Sequence, residues 1–499
     1  MSTVDKSLRG LATAVLLPGF AGHTVPDWLP RAIEAGLGGV VLFGRNVADD
    51  GQVAELTSGL RAVRGELVVA IDEEGGDVTR LDAGRGSAVP GNYALSVADD
   101  VALTERVAGA VGARLADCGV TVNLAPPADL VLTLDDPANG VRSFGSDPHR
   151  AAAHVAAFVR GTQAAGVSAC AKHFPGHGAS TTDSHHNLAV LPRTDAELRA
   201  VELVPFASAV RAGVDLVMTG HLVVPEWGPL PATLNPVALR VLRDELGFTG
   251  TVISDALDMK AVCGPGGVAG LARAAVGALA AGVDALCVGS VLLTGAEVDQ
   301  LADAVVAAVR SGRLPESRLA EAATRVAALH RRPAASAGVD AAAGAGGAAG
   351  VDPELGLRAA RAAVRVRGEL ALAGPPLVVD MAVPPSMAAG DVPWGLGPHL
   401  AELVPGTQVL TTTGITAEQI AARAAGRPVV LVTRDAHRHD WVRGAVTALA
   451  TIGLDLVHVE TGVPGPDLGV AARVDTHGGA RVCLRAAAER IAEATAPTV

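Results

Sequence analysis

The residues from Lys172 to His185 concentrate groups that can hold or move a proton. Within fourteen positions this stretch carries one ammonium, Lys172, one carboxylate, Asp183, and three imidazoles, those of His173, His177 and His185. An imidazole titrates near neutrality, and a carboxylate two residues away can orient it and stabilise its protonated form. The pair formed by Asp183 and His185 is therefore a candidate for general acid and base catalysis.

The same stretch is predicted to be a loop at the end of a strand. The apolar run 167–171 before it is short and bounded by turn residues, as in a buried strand. Pro175, Gly176 and Gly178 prevent a helix after it. Reactive side chains are commonly carried on such loops, where a rigid frame holds them in place.

Short apolar runs alternate with helical patterns between residues 10 and 312. The runs are 12–17, 39–43, 67–71, 120–124, 167–171, 215–218, 251–253 and 284–288, and the helical patterns are 28–35, 52–63, 101–117, 148–165, 196–212, 236–245, 268–281 and 296–311. Strands that alternate with helices indicate a parallel sheet, and eight such units in roughly 300 residues predict a (β/α)8 barrel. Glycine ends several helices directly before the next strand, which predicts left-handed helix caps at Gly36, Gly119, Gly166, Gly213 and Gly282.

A barrel of this kind predicts where the reactive side chains lie, because the loops after its strands build the active face. Polar groups follow five of the eight runs. They are Asp72, Glu73 and Glu74 after the third, Asn123, Asp129 and Arg142 after the fourth, Lys172 and His173 after the fifth, His221 after the sixth and Asp255 after the seventh. We expect charged and imidazole side chains from these loops to converge on one mouth.

A second domain is predicted after an Ala- and Gly-rich linker. The pattern predicts a barrel domain over 1–332 with a closing helix at 314–332, a linker over 333–352 and a smaller α/β domain over 353–499. The predicted strands of this second domain are 377–380, 408–411, 429–432 and 455–459, its helices are 417–425 and 441–452, and a final strand and helix are placed at 482–484 and 486–494. It shows no catalytic constellation, so its expected role is to support the barrel or to form a dimer surface.

Composition and charge narrow the class of protein. The net charge of −12 and the absence of Lys/Arg blocks argue against a nucleic-acid partner. The sequence shows no secretory leader and no run of eighteen apolar residues, so we expect a cytoplasmic protein with no membrane partner. Five dispersed cysteines without a CxxC pair indicate buried thiols. Tyr93 is the only tyrosine and aromatic residues are 2% of the chain, which favours small substrates over a polymer.

The motifs together resemble glycoside hydrolase family 3. They are IDEEGG with Arg80 eight residues after Asp72, VRSFGSDP, AKHFPGHG followed by TTDSH, VMTGHLVVP and VISDALDM, in this order along the whole barrel. The long KHFPGHG motif followed by DSH is most similar to that of the bacterial β-N-acetylglucosaminidase branch. The second domain resembles, more weakly, the αβα sandwich that follows the barrel in many members of this family.

The resemblance implies a role for each matched residue. It implies that Asp255 is the catalytic nucleophile and that His185, held by Asp183, is the general acid/base. It also implies contacts with the hydroxyls of the sugar, by Asp72, Arg80, Arg142, Lys172, His173 and His221, although His221 is equally compatible with a packed position at a strand end. The expected enzyme is a retaining exo-β-N-acetylglucosaminidase that removes a terminal GlcNAc from peptidoglycan fragments or chitooligosaccharides, as a monomer or homodimer and without a cofactor.

Three other readings of the same residues remain open. A histidine acid/base tolerates a phosphate anion better than a carboxylate does, and Lys172 and Arg142 add positive charge, so inorganic phosphate could replace water and make the protein a phosphorylase. A sugar-binding protein with an inactive barrel is the alternative of another class. The clustered histidines, including His186, also resemble metal ligands, but Pro175 and Gly176 break the helical face that such a site requires, and Lys172 would repel a cation, so no metal is expected.

Overall fold

A computed structural model of the chain describes residues 7–180, 188–289, 291–329, 351–384, 386, 388–390, 393 and 395–496. The chain forms two compact units. The first comprises Met1–Glu74, Thr104–Asn139 and Gly145–Gly350, and the second comprises Gly75–Leu103, Gly140–Phe144 and Val351–Val499. Two segments inside the barrel sequence thus belong to the second unit. The linker predicted over 333–352 lies almost entirely outside the described residues, so the boundaries drawn there stay predictions.

In the described part of the first unit, eight parallel strands form a barrel. They are β1 (Leu16–Pro18), β2 (Gly39–Leu42), β3 (Val68–Ile71), β4 (Val122–Asn123), β5 (Ser168–Phe174), β6 (Leu216–Thr219), β7 (Thr251–Ser254) and β8 (Leu286–Val288). Strands β2 to β7 pair in chain order, and β1 pairs with β8. Bridges between Gly19 and Val41 and between Ile253 and Ala285 join the two sheets at both seams. The ring therefore closes, and the predicted (β/α)8 barrel is confirmed.

Alternate strand residues fill the interior of the barrel. One buried cluster contains Leu17, Val41, Val68, Ala70, Val122, Cys170, Leu216, Met218, Ile253 and Cys287. Val326 joins this cluster from the helix Glu316–Ala328, which lies within the predicted closing helix, and Leu329 follows it. Burial of apolar side chains from every strand makes the barrel interior a packed core, so a substrate must bind at its mouth.

Helices precede, connect and follow the strands of the barrel. They are Leu8–Ala14, Leu29–Glu34, Asp50–Val63, Val101–Asp117, Pro148–Ala164, Asp195–Ala200, Leu203–Arg211, Pro236–Arg240, Lys260–Cys263, Gly267–Ala281, Gly295–Arg310 and Glu316–Ala328. The five predicted glycine caps all have positive φ: Gly36 100°, Gly119 74°, Gly166 87°, Gly213 77° and Gly282 123°. Glycine adopts this backbone region at little cost, and the five predicted left-handed helix caps are confirmed.

Two boundaries in the barrel were predicted wrongly. The first half of the run 12–17 is the end of the helix Leu8–Ala14, which Ser7 caps by accepting from the backbone N–H of Gly10, and its last two residues begin β1. A short apolar run does not distinguish a buried helix from a strand. The single helix predicted over 196–212 is two helices, Asp195–Ala200 and Leu203–Arg211. Pro205 has no N–H to donate to the carbonyl four residues earlier, so the helical ladder is interrupted there.

The second unit contains a six-stranded sheet. Its strands are β9 (Arg365–Arg367), β10 (Leu377–Met381), β11 (Gln408–Thr412), β12 (Val429–Thr433), β13 (Leu456–Glu460) and β14 (Ala472–Asp475), in the order β9-β14-β13-β12-β10-β11 with only β9 antiparallel. Its helices are Asn92–Ala98, Pro353–Ala363, Gly397–Leu403, Ala417–Ala424, Asp440–Ile452 and Arg481–Glu493. The strand predicted at 482–484 is wrong, because these residues lie inside the helix Arg481–Glu493.

Alternate residues of the parallel strands face two separate cores. Val430 and Val432 of β12 pack with Leu484 and Ile491 of the helix Arg481–Glu493. Val429 and Leu431 pack on the opposite face with Ile420, Val442 and Val446 from two other helices. Because neighbouring side chains of a strand point to opposite faces, helices cover both faces of the sheet. The predicted αβα sandwich is confirmed. Among the helices that the structure describes, none is both long and apolar enough to cross a membrane.

Candidate active site

A buried lysine joins the ends of two barrel strands. Lys172, in β5, directs its Nζ to Asp72 Oδ1 at 2.6 Å and to Glu74 Oε1 at 2.8 Å, both just after β3. The side chains of Lys172 and Glu74 are 3% and 1% exposed, whereas that of Asp72 is 18% exposed. Asp72 is therefore the member of this triad that presents its carboxylate to solvent. Glu74 is the buried carboxylate that Lys172 contacts in the same triad.

Asn123, the last residue of β4, fixes the backbone beside this triad. Its Oδ1 accepts from the N–H of Glu73 at 3.0 Å, and its Nδ2 donates to the Glu73 carbonyl at 2.8 Å. The two hydrogen bonds hold the start of the loop after β3, and the side chains of Asp72 and Glu74 leave the backbone on either side of the residue that is held. Glu73 thus contributes its backbone to the geometry of the site.

A buried carboxylate holds the imidazole that follows Lys172. Asp129, in the loop after β4, accepts from Nδ1 of His173 at 2.6 Å. The carboxylate is fully buried and the imidazole is 14% exposed. The same carboxylate accepts from the backbone N–H of His177 at 2.7 Å. The sequence shows Asp129 as a polar residue after a strand, but its spacing does not indicate its partner, because Asp129 lies in the loop after β4 and His173 lies in β5.

Asp255 follows directly after β7 and is partly exposed. Its backbone N–H donates to the Thr219 carbonyl at the end of β6, at 3.0 Å, so the sheet pairing reaches this residue. Its Oδ1 accepts from the backbone N–H of Ala256 at 2.7 Å. The carboxylate is therefore anchored to the rim of the barrel while remaining accessible, which is the placement that a nucleophile requires.

Two buried thiols interact electrostatically with Asp72, Lys172 and Asp255. Burial raises the pKa of Cys170 in β5, and Lys172 opposes this shift while Asp72 and Asp255 add to it. Burial also raises the pKa of Cys287 in β8, with Asp255 and Asp72 again adding to it and Lys172 opposing it. Both thiols lie in the barrel interior. Asp72 and Asp255 follow β3 and β7 directly and Lys172 is near the end of β5, so all three lie at the carboxyl end of the parallel strands.

His221 occupies a different environment from the other site candidates. It is fully buried, its Nδ1 lies 2.9 Å from Thr233 Oγ1, and its Nε2 lies 3.0 Å from the Ala256 carbonyl. Both ring nitrogens are thus used within the protein. The structure favours the packed strand-end position over a sugar contact, with His221 supporting the backbone immediately after Asp255.

Arg80 and Arg142 belong to the second unit. Arg80 Nη2 donates to the Ala388 carbonyl at 2.9 Å, and the Arg142 carbonyl accepts from Asn92 Nδ2 at 2.7 Å. Near Arg80, Asp77 binds Arg434 at 2.5 Å and accepts from the N–H of Gly479 at 2.8 Å. Gly75–Leu103, which follows the start of the loop after β3, thus lies in the second unit, whereas the sequence pattern placed it in the barrel domain.

The predicted acid/base pair, Asp183 and His185, lies outside the described residues, as does His186. The loop that leads to them is described as far as Ser180. Where side chains are placed, no group of three or more His, Cys, Asp or Glu residues has the arrangement of a metal site. His177 is buried, as befits a residue that shapes the loop.

Known proteins resemble this chain over both units. A family model described as the glycosyl hydrolase family 3 N terminal domain matches residues 23–329. A β-hexosaminidase from Xylella fastidiosa (strain M23) is 41% identical over 271 residues, 52% of this chain and 79% of the relative. One from Stenotrophomonas maltophilia (strain K279a) is 40% identical over 266 residues, 51% of this chain and 78% of the relative.

A solved structure extends the similarity to the whole chain. The family 3 β-N-acetylglucosaminidase from Paenibacillus sp. str. FPU-7 superposes with a TM-score of 0.86 at 31% identity, covering 100% of this chain and 98% of that one. The second unit is therefore shared with that protein, in addition to the barrel that the family model matches.

Proposed function

Because the chain belongs to glycosyl hydrolase family 3, we propose that it is a retaining exo-β-N-acetylglucosaminidase. Its proposed substrates are small glycosides with a terminal GlcNAc, such as peptidoglycan fragments or chitooligosaccharides. The observation that carries the proposal is the accessible carboxylate of Asp255 at the same barrel end as the triad of Asp72, Lys172 and Glu74. The names of the similar proteins support the choice of sugar.

The proposed reaction has two steps at the anomeric carbon. In the first, an oxygen of Asp255 bonds to this carbon while His185 gives its proton to the departing glycosidic oxygen. In the second, neutral His185 takes a proton from water, whose oxygen displaces Asp255 from the same face that the leaving group occupied. Two inversions give net retention. Asp183 is proposed to orient His185 and to stabilise its protonated form.

The groups beside Asp255 suit recognition of sugar hydroxyls. The exposed part of the Asp72 carboxylate can accept hydrogen bonds, and the partly exposed His173 ring offers a second polar contact. Lys172 and Asp129 hold these two side chains from below. Arg80 and Arg142 are proposed as further hydroxyl-binding residues on the family resemblance alone.

His185→Gly tests the proton transfer. Without a general acid, kcat/KM should fall by about 100-fold or more for substrates with a poor leaving group, and by less than about 10-fold for activated nitrophenyl glycosides, which leave without a proton. The measurement is a Brønsted series of aryl β-N-acetylglucosaminides. His186→Gly, which removes the adjacent imidazole, is the matched control and should leave the series unchanged. Equal losses across all leaving groups would contradict the role given to His185.

The phosphorylase alternative depends on positive charge near the site. Lys172 was expected to supply it, but its ammonium lies between the carboxylates of Asp72 and Glu74, so this triad carries a net negative charge. A phosphate dianion would be repelled there, which supports water as the acceptor.

Product analysis with and without inorganic phosphate decides between the two acceptors. We expect GlcNAc as the product in both buffers, at rates that differ by less than about 2-fold after matching of ionic strength. Formation of GlcNAc-1-phosphate, with a rate that rises with phosphate concentration, would establish the phosphorylase instead. Complete inactivity toward an aryl β-N-acetylglucosaminide in both buffers would favour the sugar-binding alternative.

A further inference from the structure

Asp129 is a buried carboxylate that contacts both β5 and the loop after it. Its Oδ2 lies 2.6 Å from His173 Nδ1, and its Oδ1 accepts from the N–H of His177 at 2.7 Å. The N–H of His173 is shared between both oxygens at 3.2 Å. Its side chain has no exposed surface. Three nitrogen atoms, two of His173 and one of His177, thus lie within hydrogen-bond distance of this one carboxylate.

The carboxylate of Asp129 determines which nitrogen of His173 carries a hydrogen. A carboxylate only accepts, so Nδ1 of His173 must be the donor in the 2.6 Å contact. The ring is then held at one edge, and Nε2 is the atom left at the other edge. This is the arrangement by which a buried aspartate orients a histidine in other enzymes, where it fixes the tautomer and the direction of the ring.

The same carboxylate ties down the beginning of the loop that continues toward Asp183 and His185. Beside Asp129, the Leu132 N–H donates to the Gly178 carbonyl at 3.0 Å. A Cβ on Gly178 would lie 1.7 Å from the Leu130 carbonyl oxygen, so only glycine allows the two loops to approach this closely. The loop after β4 therefore serves as a fixed support for the loop after β5.

We propose that Asp129 is a positioning residue, which acts on the substrate through His173 by fixing Nε2 toward a sugar hydroxyl. This inference rests on the proposed glycosidase function. Asp129 itself is too deeply buried to touch the sugar, so its contribution to catalysis is made through the orientation of the imidazole.

A double-mutant cycle separates this role from a merely structural one. Asp129→Asn and His173→Ala should each lower kcat/KM for an aryl β-N-acetylglucosaminide by about 10- to 100-fold, the loss expected for one charge-assisted hydrogen bond. In the double variant the loss should match that of His173→Ala within about 3-fold, because Asp129 then has no ring to orient. If the loss of kcat/KM in the double variant equals the product of the losses in the two single variants, the proposal is overturned.

A second variant covers the case in which Asp129→Asn does not fold. His173→Gln places a polar atom near the position of Nε2 but does not reach Asp129, and its kcat/KM should fall as far as that of Asp129→Asn. Activity close to that of the wild type would contradict the proposal. Circular dichroism and thermal unfolding establish that each variant compared is folded.

Asp284→Asn is the matched control for the loss of a buried carboxylate. Asp284 also has a fully buried side chain and accepts from a backbone N–H, that of Val252 at 2.9 Å, but it precedes β8 at the opposite end of the barrel. When Asp284→Asn is combined with His173→Ala, the loss of kcat/KM should equal the product of the two single losses. An inactive wild-type enzyme would refute the proposed function itself, whereas an active wild type with multiplicative Asp129 and His173 losses refutes only this inference.

Discussion

Asp255→Asn is expected to lower kcat by roughly 10,000-fold while the protein remains folded. The carboxylate is the only group at the end of β7 proposed to form a bond to the anomeric carbon, and an amide oxygen is a far weaker nucleophile. The folded state should tolerate the change, because Asp255 is partly exposed and an amide oxygen can still accept from the Ala256 N–H. The measurements are kcat on an aryl β-N-acetylglucosaminide and the melting temperature.

Rescue by an external anion tests whether Asp255 is the nucleophile. Asp255→Gly opens space on the face of the sugar opposite the leaving group, and azide should enter it and give the α-glycosyl azide of GlcNAc. Asp258→Asn is the matched control. Its carboxylate, three residues further on, accepts from the N–H groups of Gly289 and Val291, so it shapes a neighbouring loop. Asp258→Asn should lower kcat by less than about 10-fold. Normal turnover by Asp255→Asn would refute the nucleophile.

The sequence predicted the barrel because each of its signals is local. A buried strand appears as a short apolar run, and the glycine after a helix marks a backbone conformation that other residues avoid. The apolar run occurs eight times and the glycine cap five times. An error in one boundary, such as that of the strand predicted at 12–17, therefore does not change the topology. The placement of Asp72, Lys172 and Asp255 at one end follows from the parallel order of strands alone.

The sequence could not predict contacts between groups far apart in the chain. The carboxylate of Asp129 and the ring of His173 meet only because β4 and β5 are neighbours with a particular register. Likewise, Glu74 gave no sign that it pairs with Lys172 rather than with an arginine. In the second unit, β9 has the sequence Arg-Val-Arg and lies at the sheet edge, so it lacks the apolar pattern by which strands are recognised.

The loop after β3 has two structural roles that its sequence does not separate. Asp72 and Glu74 complete the triad with Lys172, whereas Asp77 and Arg80, a few residues later, are bound within the second unit by Arg434 and the Ala388 carbonyl. Residues from Gly75 onward in this loop therefore belong to the second unit, whereas Asp72 and Glu74 belong to the first.

Lys172→Met should both destabilise the protein and abolish most of its activity. Removing the ammonium leaves the carboxylates of Asp72 and Glu74 facing each other, with Glu74 almost fully buried. Loss of one partner from a buried ionic group typically costs about 3–5 kcal/mol of unfolding free energy. Since Asp72 also loses its anchor, kcat/KM should fall by about 1,000-fold. Urea denaturation and kinetics on the same preparation measure the two effects.

Adding Glu74→Gln to Lys172→Met separates the loss of stability from the loss of activity. In Lys172→Met/Glu74→Gln only one carboxylate of the triad remains, and it is the partly exposed one, so the double variant should regain most of the lost stability. Its activity should stay low, because Asp72 still lacks the ammonium that fixes its direction. Recovery of both properties would mean that Lys172 only balances buried charge, whereas recovery of stability alone would assign Lys172 to the support of sugar binding.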